Sequence, residues 1–460
     1  MTQFFSFVAD HWDFCLLHFL QFAIWGAWIV VLGNLLEHRG FSRVWIGRIY
    51  GAVPLGAILS TLFVGTLADR YFEVQHVLAV AHFVGAMFLF GMAFCHREKP
   101  FFALSLGYAF FFAPTLVLVN AIVFKNDQDI FAGQADSVFP WIRVFGTIGW
   151  IAAGLSHVLI LKKGQPVNER PLLLAGALSL AMGAYSLGMP STPPTPPEGE
   201  VLTLLQSAGK VFTDAFALVA DSPAFFGVTL VAATAMGLYF AFAALYLEKS
   251  GVPARTVGPV MTIGQWIEIF FLLTLPWFLG EKEKNMNWVL LVGIAAWAFR
   301  FGLFAIGRPI GLVLFGVAIH GVCFDFFFGA GFINANKVAS EGLTASAQGV
   351  YAFLVYGVGM YVGSELSGWF NGVLTRQVDV RTDGTDFDGT VSDGMGSKDI
   401  ASDAAAQPDA PDAVLATDSV TPTTESETDW KTFWAVPCAI VGVAALIFAV
   451  TVVFGETPAP

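Results

Sequence analysis

An all-α membrane protein of twelve transmembrane helices is the fold class this chain predicts, on three observations. Hydrophobic residues fill 56% and charged residues 13% of its 460 positions, outside the range of soluble domains. The apolar residues come in long runs separated by short polar breaks, and about 20 such residues in a helix span a bilayer core. These runs are continuous rather than alternating, and backbone groups cannot stay unpaired in lipid, so helices are implied and a barrel is excluded. Twelve runs qualify, near 15–36, 45–68, 74–95, 101–124, 138–161, 170–189, 223–247, 257–279, 286–306, 309–335, 344–374 and 431–454.

The first run, with "FLQFAIWGAWIVVLG", starts near Cys15 without a basic leader or a small-residue cleavage site, so it reads as a retained helix rather than a signal peptide. Gln21, Trp25 and Trp28 share it, and both packing and cavity lining are open to them. The second run ends in the polar break "GTLADRYF", Gly65 to Phe72, and the fourth contains "YAFFFAPTLVLVN". In the fifth, "WIRVFGTIGW" sets Arg143, Thr147 and Trp150 at i, i+4 and i+7, so one helix face carries a cation, a hydroxyl and a flat ring. After the sixth comes a proline-rich break, "MPSTPPTPPEGE", and then an amphipathic stretch from Leu202 to Leu218, open to being a surface helix or a plain linker. The break divides the spans six and six. It separates an N-terminal six-helix bundle over 1–190 from a C-terminal one over 222–460, with 191–221 as the linker.

In the second half, the eighth run "GQWIEIFFLLTLPWF" places Gln265 and Glu268 at i and i+3, again on one face. The ninth, "WAFRFGLFAIG", carries Arg300, expected to snorkel or to pair with Glu365 near the end of the eleventh. In the tenth, "HGVCFDFFFGAGF", His320 and Phe324 share a face at i and i+4. Helix geometry turns Asp325 roughly 140° from His320, which puts it beside a pocket rather than in it. His320 is open to two roles, a ligand or a histidine satisfied by a neighbouring helix. On the eleventh, Gly359 and Gly363 stand four apart and allow close helix approach. The stretch 375–428 is rich in Asp, Ala, Thr and Ser, holds almost no large apolar residue, and is expected to be disordered. Its "DFDGT" fails a calcium-loop register, which would put Gly384 and Met395 at the first and last ligand positions, so a solvated linker is expected.

The net charge of −12 is concentrated in that insertion. Between Arg376 and Asp429, 11 Asp and 2 Glu stand against three cations, leaving −10 there and a helical body close to neutral. No basic patch is available for nucleic acid. The four cysteines, Cys15, Cys95, Cys323 and Cys438, are too dispersed for a disulfide framework or a zinc site and read as packing residues. The chain has no phosphate-binding loop, nucleophile elbow or metal-spaced His/Cys set. Enzymatic chemistry, ATP-driven transport, a bound metal and a cofactor are therefore not expected, and any energy coupling must use ion gradients. With loops assigned alternately, the side bearing the N-terminus has six cations, Arg70, Lys125, Lys210, Lys282, Lys284 and Lys337, against fourteen on the other. By the positive-inside rule alone, both termini would lie outside.

"GTLADRYF" resembles the G-x-L-a-D-r loop of the major facilitator superfamily, whose aspartate helps latch two bundles at the cytoplasmic face; here Phe72 and Glu73 stand where a glycine and a basic residue are usual. The stretches quoted from the first, fourth, fifth, eighth and ninth spans, with "CFDFF" and "SAQGVY" of the tenth and eleventh, together resemble the nucleoside:H⁺ symporter family, the bacterial nucleoside permeases. The likeness runs in order across nearly all spans and leaves 375–428 outside. It implies two six-helix bundles around a midplane site and proton-coupled import of nucleosides by alternating access across the bacterial inner membrane. It also implies termini inside, against the charge bias. The expected partners are the nucleoside, protons and the lipid bilayer, and no feature calls for an obligate protein partner.

Carried over by position, the family's substrate contacts correspond to Arg143, Thr147, Trp150, Gln265, Glu268 and Phe324, while His320 replaces a tyrosine. On the seventh span, Gly237 and Phe240 occupy places where polar amides are expected, so recognition from that side is lost or rebuilt. Spans five and eight face each other in such a fold, which makes Arg143 and Glu268 complementary charges at the bundle interface. Charges within a membrane are costly, which favours a functional role over a purely structural one. Glu268 and Asp325 are the candidate proton carriers, since a carboxylate shielded from water takes up a proton more readily than an exposed one. Two other readings stay open: a permease for another small polar solute such as an oligosaccharide, and a sensor that binds a nucleoside without moving it.

Overall fold

The structure, a computed structural model, describes residues 2–194, 204–339, 344–380 and 423–454, without the side chains of 2, 61–70, 136–137, 204–205, 207–208, 211, 282, 344–346, 377–380 and 423–426. The side chains of the aspartate and arginine of "GTLADR", and the whole of the calcium-loop-like "DFDGT", therefore lie outside what is described. Helices form over the apolar runs because each can pair its backbone internally. The first half comprises Trp12–Trp28 continued by Leu32–His38, then Arg43–Arg70, Val74–Ala93, Glu98–Lys125, Ala135–Ile160 and Arg170–Ser186. The second comprises Pro223–Lys249, Ala254–Leu279, Met286–Ile306, Ile310–Ala318 with His320–Val338, Thr344–Ala352 continued into Met360–Leu374, and Trp430–Phe448. Among the described residues, eight helices are long and apolar enough to cross a membrane, nine if the bent pair of the tenth run counts as one. Second, sixth and eleventh runs complete the set as helices of the expected extent.

Departures from straight helix occur where the structure can repair them. The first span breaks at 29–31, and Tyr50 of the second span holds the break: its hydroxyl donates to Ile29 O at 2.9 Å and accepts from Gly33 N at 3.0 Å. Backbone groups freed within a membrane need such partners. The tenth span bends by 44° at its break. It then winds as a π-helical turn over Phe324–Gly329, and the eleventh does the same over Phe353–Gly359. Such turns insert a residue and re-aim side chains, and they recur at functional sites. At the start of the twelfth span, Asp429 accepts from Thr432 N at 3.0 Å and from Thr432 Oγ1 at 2.6 Å, an N-terminal cap.

The linker contains a helix, Leu204–Asp221, that turns Ala215 and Leu218 inward and leaves Phe212 and Phe216 exposed, an outward apolar face suited to a lipid interface. At the insertion, the expected disorder is corrected at both ends. Strands β1 (Thr375–Val380) and β2 (Thr423–Thr428) pair antiparallel, with Arg376 opposite Glu427. Their threonines and valines favour strand, and opposite charges across the ladder add to the pairing.

By contact, residues 1–374 with 429–460 form one compact unit and 375–428 another. The halves on either side of the linker fall in the same unit because they close on each other at the end remote from the N-terminus. There Asn34 Nδ2 donates to Ala244 O at 3.2 Å and to Glu248, and His38 pairs with Glu248 at 2.8 Å. Lys249 meets Glu37 at 3.6 Å, Arg48 meets Glu365 at 3.6 Å, and Arg255 Nε donates to Val158 O at 2.8 Å. Between the second and eleventh spans the backbones approach so closely that a Cβ at Gly47 would lie 2.6 Å from Gly368 Cα.

Candidate functional site

The fifth span brings its polar face toward the first and eighth. Arg143 lies with its guanidinium carbon 4.1 Å from the Phe22 ring centre, in space left open by Gly146, where a Cβ would stand 2.7 Å from Arg143 Nη1. Thr147 and Trp150 follow on the same face, both partly exposed, and Trp150 meets Trp25 edge-on at 5.5 Å. Partial exposure of ring and hydroxyl in the interior of a helical bundle marks space that a solute can enter.

Opposite, two glycines let the eighth and tenth spans touch. A Cβ at Gly264 would stand 2.8 Å from His320 Cβ, and one at Gly321 would stand 2.7 Å from Glu268 N. This contact sets Glu268 Oε2 3.7 Å from His320 Nε2, with the Phe324 ring centre 5.6 Å from that of His320. Gln265, one turn before Glu268, has a buried Oε1 without a hydrogen-bond partner. Across the space, Arg143 and Glu268 act on each other electrostatically, while the side chain that Glu268 approaches within 4 Å is His320.

Asp325 sits in the π-helical turn, 2% exposed, and its Oδ2 has no hydrogen-bond partner. It interacts electrostatically with Glu268. Because the turn is π-helical, the angle expected for a regular helix does not apply, and the aspartate is close enough for its charge and that of Glu268 to act on each other. Tyr356, within the π turn of the eleventh span, interacts with Arg143, Glu268 and Asp325. Nothing in its spacing singled it out: its one sequence signal is a lone hydroxyl in the apolar stretch "AFLVYGVGM".

Several expectations resolve otherwise. Arg300 neither snorkels nor meets Glu365, which pairs with Arg48; it is fully buried and its Nη1 lies 3.1 Å from His320 Nδ1. The reason is lateral: the rings of Tyr239 from the seventh span and Trp297 from its own helix take up the guanidinium, 3.6 and 5.3 Å from its carbon. Gln21 is taken up in an internal network, donating to Thr115 Oγ1 at 2.7 Å and meeting His82 Nε2 at 2.9 Å. Trp28 packs edge-on against Tyr108. The seventh span runs so close to the eleventh that a Cβ at Gly237 would stand 2.6 Å from Met360 O and 3.1 Å from Gly363 Cα, and Phe240 lies half-buried against Tyr239. Far from this cluster, at the closed end, a separate cavity of about 740 Å³ is lined by His38, Lys163, Glu248, Arg255 and their neighbours.

Comparison with known proteins agrees with this architecture. A family model described as Nucleoside H⁺ symporter matches residues 11–390. The Escherichia coli (strain K12) protein YegT is 35% identical over 368 residues, 76% of this chain and 82% of the relative. The xanthosine permease of the same organism is 30% identical over 366 residues, 76% of this chain and 85% of the relative. A crystal structure of the nucleoside transporter NupG superposes with a TM-score of 0.73 at 25% identity, over 95% of this chain and 98% of that one.

Proposed function

Since the chain belongs to the nucleoside H⁺ symporter family, we propose that it imports nucleosides with protons across the bacterial inner membrane. Its fold is the helical membrane fold of the major facilitator transporters. In this reading the bundles 1–190 and 222–460 rock about a midplane site, with 191–221 as the linker and both termini on the cytoplasmic side. The observation that carries it is the grouping of Arg143, Glu268 and His320, together with partly exposed rings, Phe324 beside His320 and Trp150 on the helix face of Arg143. Flat rings hold a base by stacking. Arg143, Thr147, Gln265, Glu268 and His320 hydrogen-bond its polar edge and the sugar, where a missed bond is costly because the site is dry.

Glu268 and Asp325 carry the proton in this reading. A buried carboxyl oxygen without a partner, as at Asp325 Oδ2, is stable when neutral and costly when charged. Loading one carboxyl and unloading it as the site reopens couples proton to solute. The lipid bilayer and the two solutes are the partners proposed, with no nucleic acid and no obligate protein subunit.

The test is uptake of radiolabelled uridine and adenosine by cells lacking nucleoside transport, with and without a protonophore. Accumulation that the protonophore abolishes is expected. Glu268→Gln and Asp325→Asn should each abolish accumulation, and accumulation retained by both would remove the proton-carrier assignment. The seventh span favours one second reading, because Gly237 and Phe240 offer no amide to a ribose. Uptake of an oligosaccharide but of neither nucleoside would establish it, and binding without uptake would mark a sensor.

A further inference from the structure

Arg300 is a buried cation that the proposed mechanism does not use. It is 0% exposed and, among the described residues, no carboxylate lies within ion-pair distance of it. Instead its guanidinium carbon lies 3.6 Å from the centre of the Tyr239 ring, 5.3 Å from Trp297 and 5.8 Å from Phe304, and Cys323 lies against it. Such an aromatic box stabilises a desolvated cation without neutralising it. Besides side-chain hydrogen bonding to Tyr239 and Cys323, it makes a directional contact from Nη1 to His320 Nδ1, at 3.1 Å.

A guanidinium offers only donors and stays charged. The His320 Nδ1 it faces must therefore present a lone pair, which places the ring proton on Nε2. The Nε2 nitrogen is the one turned toward Glu268, 3.7 Å from Oε2. Tyr239 lies over the opposite side of the imidazole, its ring centre 6.0 Å away and nearly parallel, so the ring is held in place from behind. The site thus presents an N–H donor from His320 beside an oxygen acceptor from Glu268.

We propose that Arg300 is a positioning residue that locks His320 as a donor, and that the resulting donor–acceptor pair selects nucleosides with a lactam edge. In hypoxanthine and uracil bases a ring N–H stands next to an exocyclic carbonyl: the N–H meets Glu268 and the carbonyl accepts from His320 Nε2. With the sugar held in one place, so that the base cannot turn over, adenine and cytosine bases present the reverse order, an exocyclic amino donor next to a bare ring nitrogen, and donor then faces donor and acceptor faces acceptor. Unpaired polar groups in a dry site carry large discrimination. This rests on the nucleoside reading above for its solute, but the state of the imidazole does not depend on it.

Two measurements test it. Competition uptake should show wild type preferring inosine over adenosine and uridine over cytidine by about tenfold or more. Arg300→Gln, whose amide can donate or accept, should bring both ratios toward one, and Arg300→Lys, which still donates, should keep them. An Arg300→Gln protein that keeps the wild-type ratios, or a wild type without preference, overturns the specificity. Nitrogen-15 spectra of histidine-labelled protein, with the His320 signal assigned by its loss in His320→Gln, should show Nδ1 bare and Nε2 protonated in wild type and in Arg300→Lys. A wild-type Nδ1–H would overturn the lock. If no nucleoside is taken up at all, the transport reading fails, and the spectra still decide what Arg300 does to His320.

Discussion

Trp150 and Arg143 share a helix face, yet they ask different things of a solute. The indole stacks on any base, a contact worth about 1–3 kcal/mol, whereas the guanidinium needs an acceptor in one place. Trp150→Ala should therefore raise KM roughly tenfold for all nucleosides alike, and Trp150→Phe should recover most of the loss. Arg143→Lys keeps the charge but not the fork of donors, so it should lower uptake unequally across solutes; an equal loss for each would point to a purely electrostatic role. Arg143, Thr147 and Glu268 were legible because helical spacing puts chemically distinct groups on one face. Arg300 was not: its expected partner Glu365 pairs with Arg48, and the aromatic box that holds it joins Trp297 and Phe304 of its own helix to Tyr239 of the seventh span.

At the level of single elements, irregular turns are held by named hydrogen bonds. Tyr50 accepts and donates across the break of the first span. Tyr50→Phe leaves the buried Gly33 N–H unpaired and the Ile29 carbonyl with only its long bond from Leu32 N at 3.4 Å, and should cost about 1–3 kcal/mol, read as a lower Tm in detergent with little change in KM. At the twelfth span, hydrogen bonds from Thr432 hold the Asp429 carboxyl below the usual carboxylate range. A lowered value stabilises the folded state above the ordinary carboxylate range and is lost as pH falls through the lowered value. Asp429→Ala should accordingly lower Tm at neutral pH by the worth of a cap, about 0.5–2 kcal/mol, and the difference from wild type should shrink in acid. Asp429→Asn, which still caps, should behave like wild type.

Across the whole molecule, the halves meet through a polar seam at the end remote from the N-terminus. Glu248 is its hub, bonded to Asn34 and His38 of the other half. Surface-type pairs contribute little singly, but this one stands beside a buried asparagine and bridges the halves. Glu248→Ala should shift the population toward opening at this end. Faster thiol labelling of Val252→Cys, buried in the lining of the closed-end cavity, would report it, and an unchanged rate would show that close backbone contacts such as Gly47 against Gly368 hold the seam instead. A bulky residue at Gly47 should prevent closure there and abolish accumulation while leaving solute binding intact.

The twelve spans, the linker helix and one polar face on each of the fifth, eighth and tenth spans were readable in the order of residues, because lipid imposes length and hydropathy locally and helix geometry carries face from one position to the next. The pairing of insertion ends, the partners of Arg300 and Glu365, the place of Tyr356 and the nearness of Asp325 to Glu268 came only with the packed fold. Two π-helical turns rotate the tenth and eleventh spans away from regular spacing. A one-residue insertion changes every direction beyond it, and a buried side chain takes its partner from whichever span lies alongside, which contacts distant in the chain decide.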